Sequence, residues 1–206
     1  YVLVRLLGQG GMGTVWHARN LALGTDVAIK LIRPSFVTDE ASERLLREAR
    51  AAALIEHASI VRVFDFGRTE EDEPYIVMEM LRGVSLAALF DTRGRLAASV
   101  AVQLLLPVVS ALAAAHAQGI VHRDLKPDNV VLVVSSHDCV VPKVVDFGIA
   151  KLTRDAGGRS LTRGGQVMGS PEYMAPEQAR GAAGVDERAD VWAVCVMLYE
   201  AITGVR

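Results

Sequence analysis

The 206-residue chain is predicted to adopt an α+β fold in two lobes, a β-rich N-terminal lobe with one main helix and a mostly helical C-terminal lobe. Three observations carry this expectation. Apolar and polar residues alternate through most of the first third, a single run at helical spacing interrupts them, and after Gly83 the pattern turns to long helical stretches. The two lobes are expected to cover residues 1–80 and 81–206.

In chain order, residues 2–7, 14–18 and 26–32 alternate between Gly-rich or polar breaks and read as a strand meander. Residues 39–55 are rich in Ala, Leu, Glu and Arg and place Leu45, Leu46, Ala49 and Ala53 on one face, which predicts a helix. Strands are expected again at 60–66 and 75–80, with a hinge at 79–82. Helices follow at 85–92, 98–118 and 189–203, and short strands at 130–134 and 143–145. Residues 96–117 are apolar and nearly long enough to cross a bilayer, but Gln103, Pro107 and His116 interrupt them and Gly119 ends them as a C-cap, so a core helix is expected. The 189–203 helix carries Val191, Trp192, Val194, Cys195, Val196, Leu198 and Ile202, apolar on nearly every side, and is expected to be a central helix that needs cover all round, with one flank left uncovered where the sequence stops at Arg206.

Composition excludes some classes. At 51% hydrophobic residues the chain can bury a real core, and a formal net charge of -2 offers no bulk attraction to nucleic acid or to an anionic membrane. Cys139 and Cys195 stand far apart without Cys or His neighbours at ligand spacing, so neither a disulfide framework nor a zinc site is expected, and a reducing cytoplasm fits. Residues 1–7 lack the basic stretch and apolar run of a secretory signal.

Chemistry concentrates in four segments. Gly8-Gln9-Gly10-Gly11-Met12-Gly13-Thr14-Val15 spaces its glycines so that backbone amides can approach phosphate oxygens. A strand, not a helix, follows them, which points to a strand-turn-strand flap and away from a dinucleotide fingerprint; an ordinary glycine-rich hairpin has the same pattern. Lys30, at the end of Val27-Ala28-Ile29-Lys30, can reach phosphates beneath such a flap, and Glu48 can fix it, although Glu48 also lies one turn from Arg44. His122-Arg123-Asp124-Leu125-Lys126-Pro127-Asp128-Asn129 puts an acid, a cation and an amide on one loop, and Asp146-Phe147-Gly148 follows.

These motifs, in this order, resemble the protein kinase family, and Ala175-Pro176-Glu177 with Lys126 resembles its Ser/Thr-specific members. The resemblance implies ATP as phosphoryl donor, Mg²⁺, and protein substrates. Asp124 would accept the substrate hydroxyl proton, Lys126 would steady the γ-phosphate, and Asn129 and Asp146 would hold Mg²⁺, with a Lys30–Glu48 ion pair marking the active state. Gly8, Gln9, Gly10, Gly11, Met12, Gly13 and Val15 would cover the nucleotide. Ala28 and Val131 would complete the adenine sandwich with Val15, behind Met78 as gatekeeper and the hinge residues Glu79, Met80 and Leu81.

Gly169-Ser170-Pro171-Glu172-Tyr173-Met174-Ala175-Pro176-Glu177 resembles the end of an activation segment. Ser170, where most such kinases have threonine, and Glu177 would form the substrate platform, and Asp190 would brace the catalytic loop, its plainer role being a helix cap. Arg123 would clamp a phosphate on Thr162, or on Ser160, and a homodimer would serve trans-autophosphorylation. The wording is nearest to bacterial members, many of which carry this domain on the cytoplasmic side of a membrane-anchored sensor. A full member would continue past residue 206 through further helices, one supplying an arginine for Glu177, so the C-terminal lobe is expected to be incomplete at its C-terminal end. Two other classes share parts of the pattern. A pseudokinase scaffold would lack a base or a metal ligand, and a small-molecule phosphotransferase would lack the platform triplet; all of these residues are present.

Overall fold

The computed structural model describes residues 1–10, 13–33, 55–135, 138–147, 171–182 and 184–205. The alternating segments of the first third form β1 (Val2–Gly10), β2 (Gly13–Asn20) and β3 (Thr25–Ile32). With β4 (Val63–Arg68) and β5 (Pro74–Glu79) they make an antiparallel sheet of order β1-β2-β3-β5-β4. The turn between β2 and β3 is set by Asn20, whose side-chain oxygen accepts from the backbone N–H groups of Ala22 and Leu23, with Gly24 in the left-handed region. Central β3 is buried on both faces, so its stretch Val27-Ala28-Ile29-Lys30 does not alternate. Apolar side chains cluster on either side of it, Ala28, Ile32, Val61, Ile76 and Met78 in one group and Ala18, Val27, Ile29 and Val77 in the other.

The helix expected at 39–55 lies outside the described residues except for Ile55, which is not helical. The strand expected from residue 60 begins only at Val63. Residues 59–61 are drawn instead to the second sheet, where Val61 N–H donates to Val144 O (3.0 Å) and Val144 N–H to Ser59 O (2.8 Å).

That second sheet has the order β6-β7-β8, from β6 (Gly83–Ser85), β7 (Val130–Val134) and β8 (Val140–Val144). The sequence reading missed β6, which is too short for an alternation, and began β8 three residues late because Pro142 interrupts it. Pro142 is tolerated because β8 is an edge strand. Among the described residues there are four α-helices: α1 (Leu86–Arg93), α2 (Ala98–His116), α3 (Pro176–Ala179) and α4 (Arg188–Thr203). Ser85 caps α1 by accepting from Ala88 N–H. α2 stops two residues before the expected 118, and Gly119, at φ 72°, turns the chain so that Ile120 N–H closes on Ala115 O.

The main core gathers Leu86 and Phe90 of α1, Leu105, Val108 and Leu112 of α2, Leu132 and Val144 of the sheet, and Met197 of α4. By length and composition α2 could cross a membrane, but its stripe Ala101, Leu105, Val108, Ala111 and Leu112 forms this core. Helix α4 is covered on one flank and open on the other, as expected. Ala189, Ala193, Met197 and Ala201 face inward, whereas Val191, Trp192, Cys195 and Ile202 are exposed, because α2 and the turn Pro171–Tyr173 cover one side of it.

Candidate active site

Strands β1 and β2 form a hairpin in which Gly8 pairs with Val15, Gln9 with Thr14 and Gly10 with Gly13; Gly11 and Met12 lie outside the described residues. The glycines differ in kind. A Cβ on Gly13 would sit 1.9 Å from Leu31 O, so packing against β3 requires the glycine, while a Cβ on Gly8 or Gly10 would meet nothing within 4 Å. The hairpin thus presents bare backbone to open space at Gly8 and Gly10, a cradle that a side chain would fill.

Beneath it, Val15, Met80, Leu81 and Val145 pack against the cluster containing Ala28 and Met78. Val131 stands on β7 opposite Lys143. The expected hinge residue Glu79 is fastened from two directions: its N–H donates to Arg62 O, and its Oε1 accepts from Arg62 N–H (2.8 Å) and from Lys143 Nζ (2.6 Å). Lys143 was missed by the sequence reading, because a strand lysine carries no signal of a partner 64 residues away.

Lys30 is 6% exposed, and its Nζ lies 2.7 Å from Asp146 Oδ1. Glu48, its expected partner, lies outside the described residues. Burial alone would raise the Asp146 carboxyl, but the Lys30 ammonium, with help from Lys126, outweighs it and holds the group below the usual carboxylate range. Asp146 has φ 65°, a left-handed conformation costly for a non-glycine residue, which the ion pair and the adjoining loop sustain.

The catalytic-loop candidates meet there. Pro127 starts a 3₁₀ turn (Pro127–Asn129) that brings Asn129 back under Asp124. Asn129 Nδ2 donates to Asp124 O (2.7 Å), and Lys126 Nζ stands 3.6 Å from Asp124 Oδ2. His122 is fully buried; its Nδ1 accepts from Asp124 N–H, so the proton belongs on Nε2, which donates to Val145 O (2.9 Å) beside Asp146. Asp190 is the loop's brace and not a cap, since Glu187 occupies the cap position. Its buried carboxylate accepts from His122 N–H, Arg123 N–H and His116 Nε2, each at 2.8 Å. His116, read in the sequence as a break in an apolar helix, is the second residue that the reading missed.

The regulatory and platform candidates are only partly described. Thr162, Ser160 and Ser170 lie outside the described residues, and the Arg123 guanidinium donates to Val185 O (3.1 Å). Glu177 sits on α3 and, among the described residues, forms no ion pair; neighbouring Arg188 pairs with Asp186. Two lysines, two aspartates and an amide therefore converge under a glycine hairpin. This arrangement suits a polyphosphate above and a hydroxyl beside Asp124.

The whole chain, residues 1–206, matches the family model described as "Protein kinase domain". It is 47% identical over 203 residues to serine/threonine-protein kinase Pkn1 of Myxococcus xanthus, covering 98% of this chain and 28% of that protein. It is 42% identical over 206 residues to serine/threonine-protein kinase pkn3 of the same organism, covering 99% and 38%. The chain thus spans well under half the length of these relatives. Among solved structures, the PknI kinase domain of Mycobacterium tuberculosis matches with a TM-score of 0.77 at 29% identity, over 98% of this chain and 74% of that one.

Proposed function

Since the chain belongs to the protein kinase domain family, we propose that it transfers the γ-phosphoryl group of ATP to serine or threonine hydroxyls of proteins. The observation that carries this reading is the convergence of Lys30 and Asp146 at 2.7 Å with Asp124, Lys126 and Asn129 on one adjoining loop. In the proposed reaction the acceptor oxygen forms a bond to the γ-phosphorus while the β–γ bridging P–O bond breaks, the hydroxyl proton passes to Asp124, and ADP leaves. Lys30 holds the donor phosphates and Lys126 the group in transit. Val15, Ala28, Met78, Leu81 and Val131 enclose the adenine.

The donor set fits Mg²⁺. Asn129 commits its NH₂ to Asp124 O, which leaves its carbonyl oxygen for a hard cation, and Asp146 is held ionised beside it. Mg²⁺, when bound, would offset charge on the phosphates. Two protein oxygens with substrate phosphates as further ligands is the pattern that this ion favours.

The reading extends to features that rest on the family alone. The lobes divide at residues 80 and 81, Ser170 and Glu177 belong to the substrate platform, and a homodimer phosphorylates Thr162 or Ser160 in trans, Arg123 then leaving Val185 for the phosphate. The domain works in the cytoplasm, on the inner side of a membrane anchor where the full protein has one.

The test is incubation with Mg²⁺ and labelled ATP, followed by mass-spectrometric mapping, with Asp124→Asn as control. Label on serine and threonine that accumulates about 10² to 10⁴ times more slowly in the control supports the reading. Nucleotide binding without any transfer supports a scaffold instead.

A further inference from the structure

Gln178 belongs to none of the roles above, yet it joins two parts of the site. It is 3% exposed on the short helix α3, and both ends of its carboxamide are in use: Oε1 accepts from Ala175 N–H (3.1 Å), and Nε2 donates to Arg123 O (2.8 Å). A carboxamide accepts at one end and donates at the other, which neither methionine nor an ionised glutamate of similar volume can do.

The carbonyl it holds is that of a strained residue. Arg123 has φ 66°, and its N–H is fixed from the opposite side by Asp190 Oδ1 (2.8 Å). The peptide that follows leads directly into Asp124. Asp190 therefore pins the entry to the strained residue and Gln178 pins its exit. Without Gln178, the Arg123 carbonyl loses this donor and the peptide before Asp124 can rotate toward the commoner φ. Tyr173, Met174 and Gln178 line a small cleft together with Arg123, Asp124 and Lys126, so the same amide also ties the segment ahead of α3 to the loop that carries the base.

We infer that Gln178 is a positioning residue for the transfer reaction, setting the direction of Asp124 through the Arg123 carbonyl and keeping the acceptor platform in register with it. The inference rests on the kinase reading. It assigns Gln178 no contact with substrate.

The test compares Gln178→Met, which keeps the volume, and Gln178→Glu, which keeps the acceptor and loses the donor, each alone and combined with Asp124→Asn in the purified protein. Readouts are kcat and KM for peptide, ATP-binding stoichiometry and melting temperature. Both single variants are expected to lower kcat about 10- to 100-fold, the scale of a misplaced reacting group, with stoichiometry and KM for ATP unchanged. In the Asp124→Asn background the same substitutions are expected to change kcat less than about 3-fold, because the group they aim has gone. Equal losses in both backgrounds, unfolded variants or reduced ATP stoichiometry would assign Gln178 a purely structural role and overturn the inference. Unchanged kcat in an active protein overturns it as well, while leaving the kinase reading intact. A wild-type protein that binds ATP and transfers nothing overturns the kinase reading and this inference together.

Discussion

Lys30 is a nearly buried ammonium, and Asp146 is the described anion that compensates it. The folded-state pKa of Asp146 is depressed, so the pair's contribution to stability is complete above the unfolded carboxylate value of about 3.9 and is lost as pH falls through the lower folded value. Urea midpoints of the wild type and Asp146→Asn should therefore differ by a constant amount at neutral pH and converge in acid below about pH 4. Asp124 faces Lys126 at 3.6 Å, and its proposed task is to take a proton from the acceptor. Asp124→Asn is expected to lower phosphoryl transfer by about 10² to 10⁴ while ATP affinity, measured by titration calorimetry, stays within about 2-fold.

At the scale of elements, the β1–β2 hairpin separates two uses of glycine. Gly13→Ala would push a methyl group to 1.9 Å from the backbone oxygen of Leu31 and is expected to cost at least about 1–3 kcal/mol, read from denaturant midpoints. Gly8→Ala and Gly10→Ala meet open space. They are expected to leave stability within about 0.5 kcal/mol and to raise KM for ATP, because the added methyl occupies room kept for phosphate. A drop in melting temperature without a change in KM at Gly8 or Gly10 would mean that the hairpin is structural only.

Across the whole molecule, the two sheets are joined where residues 59–61 pair with β8 and where Lys143 of β8 reaches Glu79 at 2.6 Å. Lys143→Met should cost about 1–2 kcal/mol, the pair being partly shielded from solvent, and should raise KM for ATP because Glu79 begins the segment between the sheets. Core and surface of α4 should respond unequally. Met197→Ala, at a fully buried position, is expected to cost about 2–5 kcal/mol, and Trp192→Ala, on the exposed face, much less, with both read from thermal melts.

Sequence alone determined the order of the longer strands and helices among the described residues and the glycine hairpin, and it named candidates for the site, because alternation, helical period and motif spacing are local properties of the chain. It went wrong where the deciding interaction is distant. Residues 60–62 alternate like a strand of the first sheet, but β8 claims residues 59–61. The apolar residues of α4 show that it needs cover on every side, but which flank is covered depends on the elements that lie against it, here α2 and the turn Pro171–Tyr173. The site divides in the same way. Asp124, Lys126, Asn129 and Asp146 could be named from spacing, whereas Lys143, His116 and Gln178 act through partners 64, 74 and 55 residues away. A lysine in a strand, a histidine in an apolar helix and a glutamine after Glu177 have no periodicity that reveals such partners. Tertiary folding decided them, because a buried charge, carboxylate or carbonyl must be satisfied by whatever polar group the packing brings within reach.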